Sequence, residues 1–227
     1  MITYRHVTVD VVAGRVREYL DALGDVYAQI APQRYTPFVG VFQVAATSGR
    51  WPQVIVISAV DEAAPRASDA ELDEWNKSAR QYRITAFDQR LILLPFSPVP
   101  PTAPHHASSG RVFFQQTYAA KPGAGGGFVE WARGTLVPRA SDDGLRLEAF
   151  WRSTHCPLEH IAVWSLPDWV AFADMQLQRD RRVAAGDESI PGLDVAWDVI
   201  GDVQERLLMP AAFSPMGGGE GSLVVTI

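Results

Sequence analysis

The chain has 227 residues, 47% of them hydrophobic, with 20 Lys and Arg against 26 Asp and Glu. That is enough apolar material for one large core or two small ones and excludes wholesale disorder, while a net charge of −6 and no basic run longer than Arg179-Asp180-Arg181-Arg182 argue against a nucleic-acid partner. No apolar stretch reaches the ~20 residues that span a bilayer, Met1-Ile2-Thr3-Tyr4-Arg5-His6 has no signal core, and Cys156 has no second cysteine to pair with, so the expected compartment is the cytoplasm.

Ile2–Val11 alternates, with Val7, Val9 and Val11 on one face and Tyr4, His6, Thr8 and Asp10 on the other, which predicts a strand. Val16, Leu20, Leu23, Tyr27 and Ile30 recur at helical spacing. Phe38–Ala46 and Gln53–Val60 are β-rich, split by the turn-like Thr47-Ser48-Gly49-Arg50-Trp51-Pro52. Ser68 with Glu71 makes a capping box that opens a second helix, with Leu72, Trp75, Ala79 and Tyr82 inward. Arg90–Pro95 closes this first half, 1–97, as a strand. Phe96–Gly110, FSPVPPTAPHHASSG, holds the prolines of an extended connection, with the linker at 98–110.

The second half, 111–215, repeats the order. Arg111–Ala119 reads as a strand. Phe128–Val137 reads as a helix with Phe128, Trp131, Ala132, Thr135 and Leu136 on one side. Leu145–Thr154 and Glu159–Ser165 are paired strands. Ser165, Pro167 and Asp168 start a helix through Val170, Phe172, Ala173 and Leu177, and Arg179, Arg181 and Arg182 end it with the sign its dipole prefers. Ala184–Asp202 is an insertion with a short helix carrying Val195, Val199 and Val203. Arg206–Ala211 is the last strand, and 216–227 is a Gly-rich tail ending Leu223-Val224-Val225-Thr226-Ile227.

The order βαββαβ, given twice, is the ferredoxin-like unit, so the expected class is α+β with two tandem units. RLILLPFSP in the first half resembles RLLMPAAFSP in the second, and VISAVDE lines up with VWSLPDW, which supports duplication. Each unit puts both helices on one face of a four-stranded antiparallel sheet and must cover the other face. The expected solution has the two sheets pack into a barrel with the helices outside and a cavity within. Gly126–Thr154 (GGFVEWARGTLVPRASDDGLRLEAFWRST) and Glu159–Met175 (EHIAVWSLPDWVAFADM) carry a resemblance to the dimeric α/β-barrel superfamily, and within it the chain looks most like NIPSNAP-type tandem proteins. The motifs cover the second half, and topology alone covers the first. That resemblance implies a small-molecule site, and a homodimer as one assembly. It leaves the chemistry open among monooxygenases, cyclases, isomerases and haem enzymes.

Strand alternation nominates the residues of the helix-free faces. In Leu145–Thr154 the side Leu145, Leu147, Ala149 and Trp151 is apolar and is expected to meet the helices, leaving Arg146, Glu148, Phe150, Arg152 and Thr154 for the cavity. In the next strand Ile161 and Val163 are expected to meet the helices and His160, Ala162 and Trp164 the cavity. Tyr4, His6 and Thr8 join them from the first strand, with Gln43, Arg90 and Gln115 as additions. His160 and His6 are candidate acid/base groups, and Glu148 a base or an orienter of histidine. Arg146 and Arg152 are candidate anion holders, while Tyr4, Phe150 and Trp164 supply walls. The competing structural readings are a hydrogen-bonded core histidine and an internal ion pair.

Other motifs read more blandly. His155 and Cys156 are adjacent in a turn and poorly placed to act as a nucleophile pair. His105-His106 has no further ligand at metal spacing, so no metal site is expected. Gly123–Gly127 fails the nucleotide-loop patterns because Phe128 takes the third glycine's place. Asp142-Asp143-Gly144 is a turn. The expected activity is therefore cofactor-independent isomerisation, cyclisation or elimination on a partly apolar metabolite, in the manner of secondary-metabolic biosynthesis. A histidine-ligated haem enzyme and a non-catalytic binding protein are the alternatives.

Overall fold

In the computed structural model of the chain, residues 2–34, 37–47, 51–61, 77–102, 111–186 and 197–217 are described. They form two units: Met1–Ile92, Pro100–Ser109 and Leu207–Ile227 in the first, Leu93–Val99 and Gly110–Arg206 in the second.

In unit 1 the alternating segment folds as β1 (Ile2–Val11), followed by α1 (Val16–Arg34), β2 (Phe38–Thr47), β3 (Gln53–Asp61), helical residues 77–80 and β4 (Arg83–Leu93). The strands run antiparallel in the order β2-β3-β1-β4. The β-branched side of β1 meets the helices: Val9 and Val11 bury with Val41, Val54 and Val56 against Tyr19, Leu20 and Leu23 of α1 and against Ala79. Each valine side chain buried there adds roughly 1.5–3 kcal/mol. Ser68, Glu71, Leu72 and Trp75 lie outside the described residues, as do the side chains of Tyr27 and Ile30. β4 begins at Arg83, seven residues before the expected start, because Ile84 and Phe87 extend its β-rich run.

Unit 2 holds β5 (Val112–Ala120), α2 (Gly125–Trp131), a π-helical turn Ala132–Leu136, α3 (Val137–Asp142), β6 (Arg146–Ser153), β7 (Glu159–Leu166), α4 (Trp169–Ala184) and the start of β8 (Ile200–Pro210). β7 lies between β5 and β6, antiparallel to both, and β8 lies beside β5. The helical stretch is longer than expected, and its π turn leads into Pro138, which brings no N–H to the helical ladder. Asp168 caps α4, accepting from Ala171 N at 2.8 Å, with Pro167 just outside. The helix buries none of its residues, and Val170, Ala173 and Leu177 are exposed. Arg182 donates to Asp143 at 2.7 Å, so the expected dipole partner is an ion-pair partner of the Asp142-Asp143-Gly144 turn. The insertion is also revised: residues 197–199 form a turn, Val203 belongs to β8, and Val195 lies outside the described residues.

The repeated Phe-Ser-Pro motif has a repeated structure. In unit 2, Leu94 N donates to Phe150 O at 2.9 Å and Phe150 N donates to Ser97 Oγ at 2.7 Å. In unit 1, Ala211 N donates to Val41 O at 2.9 Å and Val41 N donates to Ser214 Oγ at 3.0 Å. Ser97 N and Ser214 N each close a turn onto the carbonyl three residues back, Leu94 and Ala211. Phe96 packs edge-on to Phe150, and Phe213 packs on Phe38. Two copies of one sequence motif thus close their units by the same hydrogen bonds, which agrees with duplication. No helix among the described residues is long and apolar enough to cross a membrane.

Candidate functional site

The valines of unit 1 take the helix side, so the alternate residues of β1 take the other. There Tyr4 stands opposite Ala59 and Leu91, His6 opposite Ile57 and Gln89, Thr8 opposite Ile55 and Phe87, and Asp10 opposite Gln53 and Thr85. Phe42, opposite Ile55, adds an aromatic ring. Gly40 leaves that ring its space, since a Cβ at Gly40 would overlap it. His6 is 1% exposed, and Tyr4, Thr8, Asp10, Gln53 and Gln89 are buried with it. Six buried polar side chains on one sheet face are a costly choice for a core that needs only apolar filling.

The geometry suits proton handling. His6 lies between Tyr4 and Thr8 along the strand, each about 6.6 Å away by strand rise, and directly across from Gln89. Burial raises the Tyr4 phenol above its ordinary value of 10, so it remains an O–H donor at neutral pH. An imidazole beside a protonated phenol and a carboxamide can take a proton from a bound molecule while the phenol steadies the resulting oxyanion. Tyr4, His6 and Thr8 thus take the expected face. Gln43 pairs with Val54 and Arg90 with Arg5, which puts both on the helix side and removes them from the candidates.

Unit 2 requires larger corrections. α2 packs on the sheet through Phe128, whose ring lies 4.3 Å from His160 and 6.2 Å from Phe150. His160, Phe150, Trp164 and Arg152 therefore take the helix-side parity, contrary to expectation. β7 is regular, and Ile161 and Val163 meet Trp151 and Ala149 on the opposite face. In β6 a bulge falls between Leu147 and Ala149, which reverses the parity of every later residue. His160 is a core histidine. Nδ1–H donates to Leu158 O at 3.2 Å, and burial, with Arg152 nearby, lowers its pKa to about 4. It stays neutral near pH 7. A haem axial role does not fit it, because the ring is stacked on Phe128 in the helix layer.

Glu148 and Arg146 do take the helix-free side, together with Gln115, which pairs with Val163. Glu148 Oε1 accepts from Ser165 Oγ at 2.6 Å and from Arg111 Nη1 at 3.5 Å, and Arg146 Nε lies 3.5 Å away. Arg111 Nη1 also donates to Ser165 Oγ at 3.2 Å. The cluster holds two guanidiniums around one carboxylate, so it carries a spare positive charge and can hold an anionic group. Cys156 is exposed, and the described residues contain no cluster of three or more metal-ligating side chains. Sequence reasoning missed Gln53 and Gln89 in unit 1 and Arg111 and Ser165 in unit 2. Each joins its site only through cross-strand register, which no local pattern signals.

The chain thus carries two tandem ferredoxin-like units of the α+β class. No protein-family model matches it, and no curated protein does. A protein provisionally named a monooxygenase from Lactobacillus acidophilus NCFM is similar at TM-score 0.61 and 8% identity, over 99% of this chain and 99% of its own. Another so named, from Fusobacterium nucleatum subsp. nucleatum ATCC 25586, gives TM-score 0.60 at 10% identity over 100% and 98%. A NIPSNAP family protein from Agrobacterium tumefaciens str. C58 matches 50% of this chain and 96% of its own at 23% identity and TM-score 0.37. The full-length likenesses show the fold, a ferredoxin-like α+β arrangement.

Proposed function

We propose that this chain is a small-molecule enzyme whose acid/base group is His6, acting without a cofactor on a partly apolar metabolite bound at the helix-free face of the unit 1 sheet. The observation that carries the reading is the burial of His6, Tyr4, Thr8, Asp10, Gln53 and Gln89 on one face between Phe42, Ile55 and Leu91. His6 removes a proton from the substrate and returns it at a second atom, and Tyr4 O–H donates to the oxygen that gains charge between the two steps. Isomerisation, cyclisation and elimination all use that sequence. Glu148, with Arg111 and Arg146, is the polar group on the helix-free face of unit 2 and by itself suits an anion. The enzyme names of the full-length fold neighbours favour catalysis over a scaffold role. They also keep oxidation of an organic molecule by dioxygen as a second reading.

The test is to incubate the purified chain with fractionated metabolites and follow their masses. A product of unchanged mass, or one lighter by a water, is expected, and His6→Gln lowers its rate at least 100-fold. Full turnover in His6→Gln would sink the assignment. Oxygen uptake with a heavier product would select the second reading, and a Soret band on adding haem would select a haem protein instead.

A further inference from the structure

α4 (Trp169–Ala184) is held to unit 2 along one side only. Its half-buried residues Phe172, Met175, Gln176, Arg179 and Arg182 recur every three or four positions and so share one face. Two ion pairs tether that face, Arg179 Nη1 to Glu205 at 3.4 Å and Arg182 Nη2 to Asp143 at 2.7 Å. The opposite face carries Val170, Ala173, Leu177 and Ala184, all exposed. Val170 is 69% exposed and Leu177 52%, and Trp169 at the edge of the stripe is 43% exposed. A helix that only covers its own unit turns polar residues to solvent on that side. Here residues 170, 173, 177 and 184 keep the spacing of an apolar seam, the pattern of a helix that packs on a second helix.

Charge says which helix. Asp174 and Arg181 flank the seam on one edge, seven residues and about 10 Å apart along the axis. Both are exposed, and neither side chain has a hydrogen bond or ion pair among the described residues. They are too far apart to pair with each other. A second α4 laid antiparallel, with the two-fold axis between Leu177 and Gln178, brings Asp174 of each copy level with Arg181 of the other. Both pairs close at once, and the two Leu177 side chains meet at the centre. A parallel copy would set Asp174 against Asp174 and Arg181 against Arg181. Asp180 lies on the other edge, level with the uncharged Met175 and Gln176 of the antiparallel copy. Ala173 and Ala184 are small enough to let the two backbones approach.

We infer that the outer face of α4 is a self-association surface. Two copies of this chain pair antiparallel through Val170, Ala173, Leu177 and Ala184, with an Asp174–Arg181 ion pair on either side of the centre. A pair of 16-residue helices, each about 24 Å long, is a small interface, so the dimer is weak and depends on concentration. Sedimentation equilibrium of the whole chain from about 5 to about 500 μM is expected to show monomer and dimer in exchange. Leu177→Asp sets a carboxylate at the centre of the seam and is expected to weaken the dimer at least about 30-fold. The side chain is already exposed, so far-UV circular dichroism stays native. Asp174→Arg and Arg181→Asp each turn two attractive pairs into repulsive ones, and each is expected to weaken the dimer about tenfold. An equimolar mixture of these two variants associates at near-native strength, because each offers the charge the other lacks. A native chain that stays monomeric over the whole range overturns self-pairing and leaves the seam to a different protein. A dimer that Leu177→Asp leaves intact places the contact elsewhere and overturns this surface. Single reversals without effect, or a mixture no stronger than either variant alone, overturn the antiparallel pairing.

Discussion

Glu148 accepts from Ser165 at 2.6 Å and faces Arg111 and Arg146, but the two arginines stand in different surroundings. The Glu148 side chain is 12% exposed and that of Arg146 is 63% exposed. A largely desolvated carboxylate needs its partners, whereas an exposed guanidinium is already solvated. Glu148→Gln keeps one acceptor for Ser165 yet leaves two cations without their counter-charge. It is expected to cost on the order of 1–3 kcal/mol in urea unfolding. Arg146→Ala is expected to change stability by less than about 0.5 kcal/mol. Equal losses in the two variants would show that the cluster has no buried electrostatic centre. Because Arg146 is held loosely, it is the member of the cluster that can swing onto an anionic group.

At the level of elements, the two Phe-Ser-Pro segments perform one task in unlike settings. Ser214 is fully buried, accepting from Val41 N and donating to Met216 O at 2.7 Å. Ser97 is half-buried and donates to Pro98 O at 2.9 Å, beside a solvated backbone. Ser214→Ala leaves a buried strand N–H unpaired, and the expected cost is about 1–3 kcal/mol, with faster hydrogen exchange at the Val41 amide. Ser97→Ala is expected to cost about 1 kcal/mol or less, with the change confined to the Phe150 amide. Exchange that rises equally at both amides in either variant would overturn the local closures. This motif was legible from the sequence as a repeat, and so were the order of the strands and the two faces of β1, where no bulge interrupts Tyr4 to Asp10 and every valine falls on one side. β6 was not legible. Its single extra residue at the Leu147–Ala149 bulge moves Phe150 and Arg152 to the other face, and no Gly or Pro marks the spot. β7 misled for a second reason. Its two faces are nearly equally apolar, Ile161 and Val163 against Ala162 and Trp164, so alternation carries no sign. Helix packing through Phe128 decided it, a contact between residues 32 positions apart in the chain. The Asp10–Gln53 pair was half legible: parity places Asp10, but only register brings Gln53 opposite.

For the whole molecule, His160 ties stability to pH. It is fully buried in unit 2, and its pKa is lowered from 6.5 to about 4, chiefly by burial, with Arg152 adding to the effect. In the unfolded chain the same imidazole titrates near its ordinary value. Between pH 6.5 and 4 the unfolded state therefore binds more protons than the folded one, and stability rises with pH in that window. The contribution is complete above pH 6.5 and is lost as pH falls through the folded value. Its ceiling, with a shift of this size, is on the order of 3 kcal/mol. Carboxylates titrate over the lower end of the same window, so a bare pH–stability curve does not isolate the histidine. His160→Gln does, because a carboxamide keeps a donor for Leu158 O and does not titrate. Urea midpoints taken at half-unit steps from pH 7.5 to 4 are expected to fall more steeply in the native chain than in His160→Gln, with the two curves separating below pH 6.5. Parallel curves would mean that His160 is charged in the folded protein and reaches solvent. It would then no longer be the neutral core residue that leaves His6 as the acid/base candidate.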